Sequence, residues 1–310
     1  MKITELLGIE YPIFLGGMAQ ICMGEFAASV SNAGGLGVIA SGGMSADDLR
    51  REIRICKGLT DKPFGVNIML MMHNRAELAE VLVEEKVNVA VTGAGNPAPF
   101  LEMWKEAGIK VITVIPSVKI AKKMEALGVD AVVAEGTEAG GHVGETTTMA
   151  LLPQVVDALS IPVIGAGGIA DGRGVVAAFA LGAQGVQVGT RFVATKECPV
   201  HENFKIAVLE ASDTDTLVTG RSLGGPVRGI KNPMTMKFLE LEKRSASRDE
   251  LEELSLGSLR KAVFEGDKEN GSVMAGQICG MVNEITTVKE AITTIFEEAK
   301  EVLTNLKTFN

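Results

Sequence analysis

The chain has 310 residues, 46% of them hydrophobic, enough for one large barrel with an extension or for two ordinary domains. Its 30 lysines and arginines against 39 aspartates and glutamates leave a formal charge of −9, which argues against a general nucleic-acid binder. The four cysteines (Cys22, Cys56, Cys198, Cys279) make no C-x-x-C or zinc spacing. No signal peptide is evident and no apolar run nears the ~20 residues of a membrane span, so the expected setting is soluble and cytoplasmic, with free thiols.

Short apolar runs recur along the first two-thirds: Tyr11–Leu15, Leu36–Ala40, Phe64–Leu70, Val87–Thr92, Lys110–Val114, Asp130–Ala134, Ile161–Gly165 and Gly185–Gly189. Several are β-branched, as strands covered on both faces should be. Between them lie helix signals. Ser45 and Asp48 are placed to cap one helix, and Asn96-Pro97 to start another. The segments Ala98–Ala107, Val118–Leu127 and Arg173–Leu181 read as helices, each followed by a glycine: Gly108, Gly128 and Gly182. Eight β-α repeats over about 200 residues predict a TIM-type (β/α)8 barrel, here assigned to residues 1–210, with an open doubly wound sheet as the alternative.

Residues 211–310 read as a loop and helical extension packed on the barrel. Gly220–Met236, rich in Gly, Pro, Arg and Lys, is expected to be a long loop. Ser247 and Glu250 have capping-box spacing ahead of a helix. Val288, Ile292, Ile295, Ala299, Val302 and Leu306 form one face of a last helix, which either docks on the barrel's flank or makes a dimer contact.

In a barrel, chemistry collects at the C-terminal ends of the strands. Those ends are Gly16-Gly17-Met18, Asn67 inside the third run, Thr92-Gly93, Glu135–His142, Gly165–Ile169 and Gly189-Thr190-Arg191. Gly167, Gly168, Gly189 and Thr190 sit on adjacent strand ends. There, small residues let backbone N–H groups converge on a phosphate, aided by the positive end of the following helix. His142, among Gly140, Gly141 and Gly144, is a candidate for proton transfer near neutral pH. His73 and His201 lack that setting and are read as structural. No metal cluster, no nucleophilic cysteine at a glycine-rich strand end and no G-x-S-x-G elbow is visible. What remains is redox chemistry with a bound cofactor, or proton transfer on a phosphorylated substrate.

The sequence resembles the flavin-dependent enoyl-(acyl carrier protein) reductase II family, a branch of the nitronate monooxygenase-like FMN barrels. Tyr11–Ile13 with Gly16–Met18, Glu138–His142, Gly165–Ile169 with Gly189–Phe192, and Met274–Gln277 carry the likeness, together with Gly220–Ser222 and Lys231–Pro233. The resemblance implies bound FMN, NADH or NADPH as electron donor, and a stimulating monovalent cation. It places Gly17 and Met18 against the flavin ring, and Asn67 and Glu138 at the ring or ribityl chain. Gly167, Gly168, Gly189 and Thr190 fall around the phosphate, Gly141, Gly276 and Gln277 near the flavin, and His142 where substrate binds. It implies an acyl carrier protein as partner, for which Arg221, Arg228 and Lys231 are candidate basic contacts; the same three could meet a nicotinamide cofactor's phosphate. A homodimer is expected. Nitronate monooxygenase, a flavin-free sugar-phosphate barrel and a non-catalytic flavin-binding or docking protein are the alternatives.

Overall fold

The computed structural model describes residues 2–306. Eight parallel strands form the central sheet: β1 (Ile13–Leu15), β2 (Gly37–Ala40), β3 (Phe64–Met69), β4 (Val89–Gly93), β5 (Lys110–Ile115), β6 (Ala131–Glu135), then β8 (Val163–Ala166) and β9 (Gly185–Val188). Between β6 and β8 the chain makes the two-residue strand β7 (Gly141–His142), outside this sheet. The spatial order is β1-β9-β8-β6-β5-β4-β3-β2, and a parallel bridge from Phe14 to Leu36 brings the two ends together. The molecule is therefore a TIM-type (β/α)8 barrel, with boundaries within two residues of the apolar runs.

Strand burial follows from the two-sided packing of a parallel sheet: β1, β2, β8 and β9 are buried at every position. Side chains alternate between the barrel interior and the surrounding helices. Trp104, fully buried, fills the space beneath the helix Arg75–Glu84, and its Nε1–H donates to the carbonyl of Ala79 at 3.1 Å. The expected caps form. Ser45 accepts from the N–H of Asp48, while Asn96 Oδ1 accepts from the N–H of Ala98. Gly128, in left-handed backbone, ends the helix Val118–Leu127.

Beyond the barrel, β10 (Thr216–Thr219) and β11 (Val227–Ile230) pair antiparallel, and β11 also pairs with β7. Part of the segment expected as a loop is thus ordered: residues 227–230 are a strand, and a helix starts at Pro233. Asn232 explains that start, since its side chain accepts from Thr235 N–H ahead of a proline in the first turn. Ser247 and Glu250 make their capping box ahead of Arg248–Ser255. The final helix, Val288–Leu306, buries Val288, Ile292, Ile295 and Ala299. It lies on the helix Gly172–Ala180, where Gly172 N–H donates to Glu298 at 3.0 Å, and Phe296 meets Tyr11 with ring centroids 5.0 Å apart. Residue 1 and residues 307–310, the outer ends of the two predicted segments, lie outside the described residues. No helix among those described is long and apolar enough to cross a membrane.

Candidate active site

The loop after β6 carries the most polar chemistry. Glu138 turns both carboxylate oxygens onto the N–H of Thr148, each at 2.9 Å, and so sits at the start of the helix Thr148–Ala158. A negative group there is favoured by the free N–H groups of the first turn. The Thr148 hydroxyl has three acceptors in reach: Glu138 Oε2, the Ala166 carbonyl and the Gly167 carbonyl, at 2.9–3.1 Å. One hydroxyl proton serves one of them at a time. Thr148 therefore ties the β6 loop to the β8 turn.

From this anchor the chain runs to β7, where His142 pairs with Val227 and Gly141 with Arg228. His142 is exposed, and its position is fixed by backbone pairing with the extension. Arg228 lies on the opposite face of the small sheet from His142 by the alternation of a strand. Only 7% exposed, it donates from Nε to the Thr137 carbonyl and from Nη1 to Thr216 Oγ1, both at 3.1 Å. Burial pulls its guanidinium below the ordinary arginine range, while nearby Glu138 pushes the other way. It is therefore not a surface contact, and the basic rim expected from Arg221, Arg228 and Lys231 contracts. Arg221 is paired with Glu145, which leaves the exposed Lys231.

The turn after β8 is the first of the two expected to hold a phosphate. Gly167 and Gly168 adopt φ of +87° and +74°. A Cβ on Gly167 would also lie 2.8 Å from the Gly136 carbonyl oxygen, so only glycine fits. The following helix does not add a free positive end, contrary to expectation. Asp171 caps it by accepting from Arg173 and Gly174, and Glu298 takes Gly172 N–H. The second such turn follows β9, where Gly189 precedes the short helix Thr190–Val193. Thr190 Oγ1 accepts from Gly276 N–H at 2.9 Å, while Gln277 N–H donates to the Glu138 carbonyl at 2.9 Å. A Cβ on Gly276 would lie 2.7 Å from that same carbonyl oxygen. The Met274–Gln277 segment is thus pressed onto both the β6 loop and the β9 turn.

On the far side, a Cβ on Gly17 would lie 2.7 Å from Asn67 Cγ, and one on Gly189 3.4 Å from Met18 Sδ. The Asn67 amide has no hydrogen-bond partner among the described residues, although its backbone carbonyl accepts from Ser41. These close approaches join Asn67, Gly17, Met18, Gly189, Thr190, Gly276 and Glu138 in one ring around the barrel mouth. Gly167 and Gly168 complete it, for a Cβ on Gly168 would lie 3.5 Å from Glu138 Cβ.

The other two histidines stand apart. His73 is exposed in the turn after β3, and His201 caps the helix Glu202–Glu210 by accepting from Asn203 N–H at 3.1 Å. Among the described residues, no three His, Cys, Asp or Glu side chains gather to hold a metal. The sequence assigns no role to three polar residues that the fold brings to the mouth: Glu135, Gln187 and Thr148. Glu135 and Gln187 carried a signal, each being polar within an otherwise apolar strand, as Asn67 is.

The comparisons with known proteins span the whole architecture. A family model described as nitronate monooxygenase matches residues 1–85 and 75–298. The structure of FabK from Thermotoga maritima superposes with a TM-score of 0.97 at 50% identity, covering 99% of this chain and 98% of that one. A (3aS,4S,5R,7aS)-5-hydroxy-7a-methyl-1-oxo-octahydro-1H-indene-4-carboxyl-CoA dehydrogenase of Mycobacterium tuberculosis is 34% identical, over 99% of this chain and 97% of its own. A probable nitronate monooxygenase of Staphylococcus saprophyticus is 33% identical, over 97% and 98%.

Proposed function

This chain belongs to the nitronate monooxygenase family, and from that premise we propose that it is an FMN-dependent enoyl reductase. In this reading it reduces trans-2-enoyl thioesters, carried on acyl carrier protein, with NADH or NADPH. Family members, FabK among them, are FMN-dependent oxidoreductases. The observation that carries the finer reading is the likeness to FabK, an enoyl-(acyl carrier protein) reductase II, which is closer over the full chain than the likeness to relatives named for other reactions.

The residues present fit a phosphate-bearing flavin. Asn67 offers an unpaired amide at the mouth, and the glycine ring, with Gly167 and Gly168 in left-handed backbone, permits close backbone approach. Gly167, Gly168, Gly189 and Thr190 would hold the phosphate. Gly17, Met18 and Asn67 would meet the ring or ribityl chain, with Glu138, Gly141, Gly276 and Gln277 along the same rim. FMN held there would supply the hydride relay between the nicotinamide and the β-carbon of the enoyl thioester. His142 gives the α-carbon its proton, or stabilises the charge developing on the thioester oxygen. A stimulating monovalent cation, a homodimer and carrier docking at Lys231 belong to the same reading.

The test is anaerobic reduction of the flavin-loaded protein by each nicotinamide, followed by crotonyl thioester or oxygen. Return of the oxidised flavin spectrum with the thioester is expected. The family model and the Staphylococcus relative favour nitronate monooxygenase as the second reading. Oxygen-dependent turnover of alkyl nitronates with no thioester reduction would select it.

A further inference from the structure

Glu135 is an ionisable side chain that none of the roles above uses. Its orientation follows from the strand register. A Cβ on Gly165 would lie 3.0 Å from Leu152 Cδ2 and 3.5 Å from Ala178 Cβ, so that position of β8 faces the outer helices. Ala134 pairs with Gly165 and faces outward with it; Glu135, the next residue, pairs with Ala166 and faces into the barrel. Its carboxyl therefore stands just below the ring of glycines at the mouth.

The surroundings supply no counter-charge. The inward positions on the strands around it are Val114 on β5, Ala166 on β8, Gln187 on β9 and Phe14 on β1, none of them titratable. The one polar contact is Gln187 Nε2, which donates to Oε2 at 3.4 Å. Glu138, on the same loop, is committed to Thr148, and Arg228 to Thr137 and Thr216. A half-buried carboxylate with no counter-charge is costly, and a neutral acid is less so. Burial accordingly pushes the Glu135 carboxyl up to about 7. Its Gln187 contact uses one acceptor lone pair, so the neutral acid keeps an O–H with no acceptor among the described residues.

Resting on the flavin reading above, we propose that Glu135 is a proton-linked positioning residue of the cofactor pocket. It supports bound FMN as the neutral acid, and FMN association takes up a proton near neutral pH. The physical cause is double. An aromatic ring over the mouth removes the water still reaching the carboxyl, and a phosphate dianion adds negative charge nearby. Both disfavour the carboxylate. Linkage then requires the converse, that proton binding and FMN binding strengthen each other. The sign follows. Below about 7 Glu135 is protonated in both the free and the loaded form and adds no pH dependence of its own. Above it, affinity falls until the loaded form also ionises.

The experiment is equilibrium dialysis of the flavin-loaded protein between about pH 7 and 8.5, above the second ionisation of a phosphate monoester near 6. The dissociation constant of the wild type should rise as much as ~10-fold per pH unit. Glu135→Gln, which keeps the shape and neutrality of the protonated acid, should hold FMN with little pH dependence. An equal slope in both proteins, or a flat wild type, would overturn the proposal. A second measurement needs no variant: the infrared band of a protonated carboxyl should persist in loaded wild type at pH 8, and its absence would also overturn it. Failure of the wild type to retain FMN at any pH would bring down the flavin reading itself. Tight but pH-independent retention would remove the proton linkage alone.

Discussion

His142 has no side-chain hydrogen bond within the described residues, and only its backbone, paired with Val227, holds it in place. Truncation should therefore leave the rest of the mouth intact. His142→Ala is expected to retain its yellow flavin and to lose on the order of 10²- to 10⁴-fold in enoyl reduction, the usual worth of a general acid. Flavin absorbance and steady-state kinetics check it, and full turnover by the variant would remove the assignment. Glycines and the histidine were legible in the sequence because each is an unusual residue at a strand end. Glu135 and Gln187 were less so, since a polar residue in an apolar strand says nothing of facing inward until the register is known. Arg228 was read as surface for the same kind of reason. Its burial depends on β11 folding over Thr137, a contact 91 residues distant in the chain.

Among the elements, the three-stranded sheet β10-β11-β7 governs the site, and Arg228 is its link to the β6 loop. Arg228→Met keeps the volume but leaves the Thr137 carbonyl and Thr216 hydroxyl without their donor, so stability should fall by on the order of 1–3 kcal/mol while the barrel still folds. The Thr137 carbonyl loses its donor, and the segment leading to His142 is freed. Enoyl reduction should fall on the order of 10- to 100-fold with flavin retained, as expected when a reacting group is misplaced by a fraction of an ångström or more. Kinetics beside a thermal melt separates this from unfolding, and Arg228→Lys should recover part of the loss. Barrel elements were legible because their signals are local: β-branched runs, caps and following glycines. The strand at 227–230 was hidden because its four residues include arginine and glycine, and its pairing comes from partners elsewhere in the chain.

For the molecule as a whole, every cysteine is buried. Burial pushes the Cys56 thiol up to about 12 and Cys198 to about 11, and raises Cys22 further. The thiolate is the reactive form. Native protein at pH 8 should react with almost none of its thiols toward a disulfide reagent within minutes, and with all four after denaturation. Rapid native labelling would mean that the barrel opens far more readily than its packing implies. The antiparallel pairing of β11 with β7 also orders events during synthesis. The last barrel strand is complete at Val188, yet His142 awaits Val227 and Thr190 awaits Gly276. At ~5–20 residues added per second, a nascent chain passes roughly 5–20 s with its strands made and its mouth unfinished. The groups proposed to relay hydride and proton are thus the last to be assembled, by contacts from residues 227 and 276.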